Sequence, residues 1–279
     1  MYPELLKIGP ITIYSYGLMV GIAFLTGNLL LTSELKRTGR DPVLSSSITM
    51  LALIGGIVGA KALYLIENWS YFIQNPLEMT FSSGGLTFFG GFVLAIILVL
   101  IYLRKKSISF LTMADLTAPI LALGYGIARI GCQLAGDGDY GFPTTLPWGT
   151  SYANGTVPPS QAFKNFPEIA QQFPGGIVPD STLCHPTPIY EFIAGVLIFW
   201  FLWSRRKSIH KLGEQFGLFL VLHGLARFMV EFIRLNPRLL FGLSEAQLVS
   251  IGFLFWGLYL IFRPQGRVPE SVKVSKHKK

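Results

Sequence analysis

Apolar residues fill this chain in long blocks, not in the short alternation of a half-buried strand. Seven blocks reach spanning length, roughly 12–32, 46–66, 86–103, 112–132, 187–204, 214–233 and 246–262. About 20 consecutive apolar residues suffice to cross a bilayer as a helix. The helix is the natural form there, because it satisfies every backbone N–H and C=O from within the segment. The pattern predicts an all-α fold: a polytopic membrane bundle of seven transmembrane helices in one domain, residues 1–265. The third and fifth blocks are short, at 18 residues each, and the sixth carries charges.

The links between blocks alternate in basic content. One set holds Lys36, Arg37 and Arg40, then Arg104, Lys105 and Lys106, then Arg205, Arg206, Lys207 and Lys211, then the six Lys and Arg from Arg263 onward. The other set holds only Lys7, Lys164, Arg234 and Arg238. Sixteen against four places the N-terminus outside and the C-terminus in the cytoplasm by the positive-inside rule. Residues 133–186 are rich in Gly, Pro, Asn and Ser and form a long extracytoplasmic loop in this reading. Residues 266–279 are a basic cytoplasmic tail that favours anionic lipid.

Composition sharpens the class. Charged residues make up 14% of the chain and hydrophobic ones 51%, where soluble domains carry about 25% charged. The net charge of +8 follows membrane topology, so no nucleic-acid partner is expected. The opening MYPELLKIGP has neither a basic n-region nor a cleavage site, and no removable signal peptide is read in it. Cys132 and Cys184 flank the long loop on the oxidising side, where a disulfide would close it. No metal or cofactor is expected, as neither cysteine sits in a CxxC and GDGDYG lacks the further ligands of a calcium loop.

The remaining polar residues converge. Lys61, Arg129 and Arg227 lie inside apolar blocks, where an ionised side chain costs roughly 2.5–3.5 kcal/mol at mid-bilayer on insertion scales. With the orientation above, Arg129 is near the outer end of its segment, with Asp137 and Asp139 just beyond. His185, Tyr190 and Glu191 begin the fifth segment. His223, Arg227 and Glu231 are spaced i, i+4, i+8 on one helical face in the outer half of the sixth. Tyr14 and Tyr16 open the first. One polar layer implies a cavity open to the outer leaflet, and two guanidinium forks suit a phosphate. The natural anion at that depth is a phospholipid head group. Plainer readings stand beside this one. Arg129 can pair with Asp137 or Glu191, and Arg227 with Glu231. Lys61 can snorkel to the interface, His223 can donate between helices, and His185 can cap a helix start.

These stretches together resemble the prolipoprotein diacylglyceryl transferase family. IGPITIYSYGLMVGI, GAKALYLI, SGGLTFFGGF, GIARIGCQLAGD, HPTPIYE and GLFLVLHGLARFMVEFIR are similar to six family motifs, in family order. The resemblance implies a bacterial inner-membrane enzyme that moves a diacylglyceryl group from phosphatidylglycerol to the lipobox cysteine thiol of a prolipoprotein signal peptide. Matched position by position, Arg129 and Arg227 take the family's two essential arginines. Tyr16, Glu231 and Arg234 take further substrate-binding positions, and His185, Tyr190 and Glu191 the fifth-segment motif. Lys61 stands where the family has arginine. The departures concern the chemistry. The family's usual basic histidine is Phe89 here, the signature asparagines are Cys132 and Ala135, its glutamate is matched by Asp137, and the tyrosine before the second arginine is His223. His223 or His185 then becomes the expected base. A non-catalytic phospholipid-binding or assembly protein is the alternative, and transport through the polar layer fits less well because the charges do not cross the bilayer.

Overall fold

A computed structural model describes residues 1–9, 11–82, 85, 87–208 and 211–264, apart from the Ile11 side chain; the basic tail lies outside the described residues. The chain is mostly helical. It opens with a small antiparallel hairpin, β1 (Glu4–Ile8) and β2 (Ile11–Tyr14), followed by α1 (Ser15–Arg37), α2 (Val43–Glu67), the short α3 (Trp69–Gln74) and α4 (Pro76–Phe81), α5 (Phe88–Lys105) and α6 (Phe110–Ala135). The region expected as loop then carries β3 (Thr150–Ser151), α7 (Pro159–Ala162), α8 (Pro167–Ala170) and β4 (Leu183–Cys184). The chain closes with α9 (Thr187–Arg205), α10 (Glu214–Val230) and α11 (Glu245–Phe262).

Among the described residues, six helices are long and apolar enough to cross a membrane: α1, α2, α5, α6, α9 and α11. The sixth apolar block forms α10, a helix of 17 residues. The all-α expectation needs correction at two places. ITIY reads as the start of the first span but pairs with Glu4–Ile8; its β-branched, period-two pattern suits a strand. Leu183–Cys184 pairs with Thr150–Ser151.

Two compact units are present. One holds Asn28–Met113 among the described residues. Inside it α2 and α5 touch backbone to backbone: a Cβ on Gly59 would stand 2.3 Å from the Gly90 carbonyl oxygen, and one on Gly91 2.4 Å from that of Gly56. Small residues permit this approach.

The other unit holds, among the described residues, Met1–Gly27 and residues 114–264. Its helices are locked by two devices. The first is again glycine: a Cβ on Gly195 of α9 would meet the Ala122 carbonyl oxygen of α6 at 2.8 Å and the Gly126 Cα at 3.1 Å. The second is a cap supplied from another helix. The Asp115 carboxylate of α6 accepts from the backbone N–H of Gly213 at 2.6 Å and of Phe216 at 2.9 Å. It thereby satisfies orphan donors at the start of α10 and fixes where that helix begins.

The segment between α6 and α9 has its own core of Tyr140, Tyr152, Phe163, Val178 and Cys184, closed by Leu235. The Tyr140 and Tyr152 rings stack at 4.0 Å. No disulfide ties the segment, because both cysteines are free and buried. Cys184 is packed in the aromatic core, where burial pushes its thiol up to about 12. Cys132 sits on α6, its sulfur 3.7 Å from Arg129 Nη1. Backbone hydrogen bonds do the closing: Gly141 N–H to His185 O at 2.9 Å, His185 N–H to Phe142 O at 3.0 Å and Thr144 N–H to Leu183 O at 2.8 Å.

Candidate functional site

The close contact of α6 with α9 decides where the charges meet. Glu191 lies one turn before Gly195, and Arg129 three residues after Gly126, so the backbone approach carries their side chains together. Glu191 is buried and takes three guanidinium groups: Arg129 Nε at 3.3 Å, Arg227 Nη1 at 3.4 Å and Arg234 Nη1 at 2.8 Å. The Tyr125 hydroxyl donates to the same carboxylate through a very short hydrogen bond. A carboxylate so surrounded is a fixed counter-ion and not a free base.

Two further acids complete the cluster. Glu231 pairs with Arg227 Nη1 at 2.5 Å, accepts from Asn236 Nδ2 at 2.5 Å and lies 3.7 Å from Arg234 Nε. Asp139 bridges two arginines, one oxygen on Arg129 Nη1 and the other 2.5 Å from Arg234 Nη2. Three arginines thus face three carboxylates in a largely buried, charge-balanced network. Burial favours the neutral form of Asp139, yet Arg234 and Arg129 outweigh it and hold the carboxyl below the usual range. Around the cluster, Arg129 Cζ lies 4.8 Å from the Tyr125 ring centroid. Arg238 donates to Gln247 Oε1 at 2.8 Å and to the Glu231 carbonyl at 3.1 Å, which ties the chain after α10 to the start of α11.

His223 reaches this network through Tyr125. Its ring meets the Tyr125 ring edge-on at 4.6 Å and stacks on Phe219 at 5.3 Å. Tyr125, Glu191, His223 and Arg227 line one cavity of about 10 Å³, room for a single water. His185 is placed differently. Its Nδ1 faces the Tyr190 hydroxyl at 3.3 Å, and that hydroxyl accepts from Trp148 Nε1 at 2.8 Å; burial lowers the imidazole from its ordinary value. Of the two candidate bases, only His223 adjoins the arginine cluster.

Other expected residues fall as follows. Tyr16 is on α1 near the end of α6, where a Cβ on Gly131 would be 3.2 Å from the Tyr16 Cα. Asp137 does not pair with Arg129. It accepts from the Asp139 N–H at 3.4 Å and shares with Cys132 and Asp139 a group whose potential metal-ligand atoms lie within 4.8 Å of one another. Desolvation raises the Asp137 carboxyl above its ordinary value. Lys61 belongs to the other unit, where its ammonium donates to the Ser82 carbonyl at 3.0 Å and hydroxyl at 2.9 Å. Phe89 is there too, half exposed and edge-on to Phe88 at 5.7 Å.

One member of the cluster, Tyr125, escaped the sequence reading, and another, Asp139, was noted beside Arg129 but given no role. Tyr125 precedes Arg129 by four residues on α6, so helical spacing was a usable signal. Asp139 rather than Asp137 takes the ion pairs, because Gly136 (φ +58°) and Gly138 (φ +89°) turn the chain back, and no residue pattern encodes which of two acids that turn presents.

The family model described as prolipoprotein diacylglyceryl transferase matches residues 3–263. A phosphatidylglycerol–prolipoprotein diacylglyceryl transferase of Clostridium tetani is 33% identical, covering 93% of this chain and 96% of that protein. Enzymes of the same name from Bordetella avium and Leptospira interrogans are 30% and 29% identical, covering 92% and 91% of this chain.

Proposed function

Because the chain belongs to the prolipoprotein diacylglyceryl transferase family, we infer that it transfers the diacylglyceryl group of phosphatidylglycerol to the thiol of a prolipoprotein's lipobox cysteine in a bacterial inner membrane. It does so as a bundle of seven spans, with the N-terminus and residues 133–186 outside and the C-terminus in the cytoplasm. The observation that carries the reading is the convergence of Arg129, Arg227 and Arg234 on the buried Glu191 carboxylate, with Glu231 and Asp139 beside it. Those carboxylates orient the guanidinium forks before the lipid arrives, and Tyr16 borders the end of α6.

The chemistry follows from the charge that develops. The thiol loses its proton, sulfur attacks the glycerol carbon, and the bond from that carbon to the phosphate oxygen breaks. A thioether forms and glycerol phosphate leaves, carrying the charge that accumulates on its oxygen. Arg129 and Arg227 stabilise that charge where it appears, the role of pre-aimed donors in a site shielded from water. His223 takes the thiol proton, since of the two candidate histidines it is the one that packs on Tyr125 and lines a cavity with Arg227.

Phe89 favours a second reading, a phospholipid-binding protein without the chemistry, because phenylalanine has no proton acceptor. Purified protein in phosphatidylglycerol vesicles, given a lipobox peptide, separates the two. Wild type adds the diacylglyceryl mass to the peptide, Arg129→Ala loses about 10²–10³ in rate as expected for removal of one oriented donor, and His223→Ala loses more than His185→Ala. A folded wild type that binds the lipid and never forms the thioether is the binding protein.

A further inference from the structure

The three acids of the cluster are not equivalent. Glu191 and Glu231 belong to α9 and the end of α10, and their side chains are 2% and 0% exposed. Asp139 is on the loop after α6 and is 31% exposed. It also presents a two-oxygen edge to two different arginines, Arg129 Nη1 and Arg234 Nη2. A phosphodiester has the same edge, two non-bridging oxygens sharing one negative charge.

Charge balance limits how such a lipid can bind. Added to the intact cluster, a phosphodiester leaves one unmatched negative charge in a poorly hydrated layer, which is expensive. Exchanged for the Asp139 carboxylate, it leaves the balance unchanged. Glu191 and Glu231 are too enclosed to move aside. We propose that Asp139 is a positioning residue that occupies the phosphate subsite between Arg129 and Arg234 when no lipid is bound, and swings out when phosphatidylglycerol enters. This rests on the reading that the cluster receives a lipid phosphate.

The exchange is a side-chain rotation. Thr187 Oγ1 donates to the Asp139 carbonyl at 2.6 Å, and the neighbouring Tyr140 is locked in the loop core, so the backbone stays in place. The arginines keep Asp139 ionised, so it leaves as an anion and returns as one. Its return has a use. Cleavage turns the monoanionic diester into a more highly charged monoester, which holds two arginines harder, and Asp139 competes that product off.

The test is Asp139→Asn in detergent micelles, with binding of short-chain phosphatidylglycerol, glycerol phosphate and diacylglycerol measured beside kcat and KM. Removing an internal competitor worth one charge-assisted hydrogen bond raises apparent affinity by about tenfold or more. Phosphatidylglycerol and glycerol phosphate both bind tighter, diacylglycerol does not change, KM falls, and kcat falls as product leaves slowly. Asp139→Glu, which keeps the competitor, stays near wild type in affinity. Asp139→Ser serves as the neutral variant if the asparagine protein does not fold. Unchanged or weaker phosphatidylglycerol binding in a folded neutral variant overturns the proposal and makes Asp139 an orienter of the arginines. A wild type that binds phosphatidylglycerol but transfers nothing refutes the enzyme reading, and the affinity comparison still decides the role of Asp139.

Discussion

Glu191 shows what a single residue carries in this protein. Its carboxylate is the meeting point of Arg129, Arg227, Arg234 and Tyr125, so its loss strands several buried donors at once. Breaking a buried ion pair on one side costs about 3–5 kcal/mol. Glu191→Gln therefore lowers the thermal midpoint in micelles sharply and abolishes transfer together with lipid binding, whereas Tyr190→Phe, which removes a hydroxyl bonded to Trp148 and facing His185, leaves stability near wild type. Thermal unfolding of the two variants checks this. Much of the cluster was legible in the sequence, because a charge inside an apolar block is costly enough to announce a partner. Arg129, Glu191, Arg227 and Glu231 were found that way, and Arg234, just beyond its block, came only with the family resemblance. The choice of Asp139 over Asp137 was not, since it depends on the turn made at Gly136 and Gly138. Nor was the state of the cysteines, because flanking a loop in sequence says nothing of whether two thiols face each other.

At the scale of elements, the site depends on how near two helices approach. The α6–α9 contact at Gly126 and Gly195 sets the Glu191–Arg129 distance of 3.3 Å. A methyl group at Gly195 has to displace the Ala122 carbonyl, which is backbone and cannot rotate away. Overpacking of this kind costs typically about 1–3 kcal/mol. Gly195→Ala lowers both stability and kcat, and the loss in kcat exceeds what the stability loss alone produces at a temperature where the protein is folded. Gly124→Ala is the control on α6, where nothing lies within 4 Å of the added carbon, and it behaves as wild type. Equal activity of the two variants would show that the spacing of α6 and α9 does not matter to catalysis. Length and hydropathy were enough to read the existence of the helices. The close approach of α6 and α9 was not legible, since single glycines such as Gly126 and Gly195 do not name the helix they will meet, and the hairpin of β1 and β2 was hidden because ITIY is as apolar as the span it precedes.

For the whole molecule, α10 decides whether the chain crosses the bilayer six or seven times. Its 17 residues span about 26 Å at about 1.5 Å per residue, slightly under the roughly 30 Å hydrocarbon core. Arg227 adds to the difficulty as a charge near its end. The cluster resolves both problems: Arg227 is neutralised by Glu231 and Glu191, and the chain continues past Val230 in turns bonded from Glu231 N–H to Arg227 O and from Ile233 N–H to Val230 O. The count of spans fixes the side of the C-terminus once the N-terminus is outside. Seven puts the basic tail in the cytoplasm and six puts it outside, against the sixteen-to-four distribution of Lys and Arg. Single cysteines report this directly, because Cys132 and Cys184 are both buried and give little background. In intact spheroplasts an impermeant maleimide labels Asn154→Cys, on the exposed surface of the segment between α6 and α9, and spares Ser275→Cys until the cells are lysed. Labelling of both from outside would remove α10 from the spans. It would also move the arginine cluster out of the outer leaflet, since the direction in which α10 crosses sets the depth of Arg227 and Glu231.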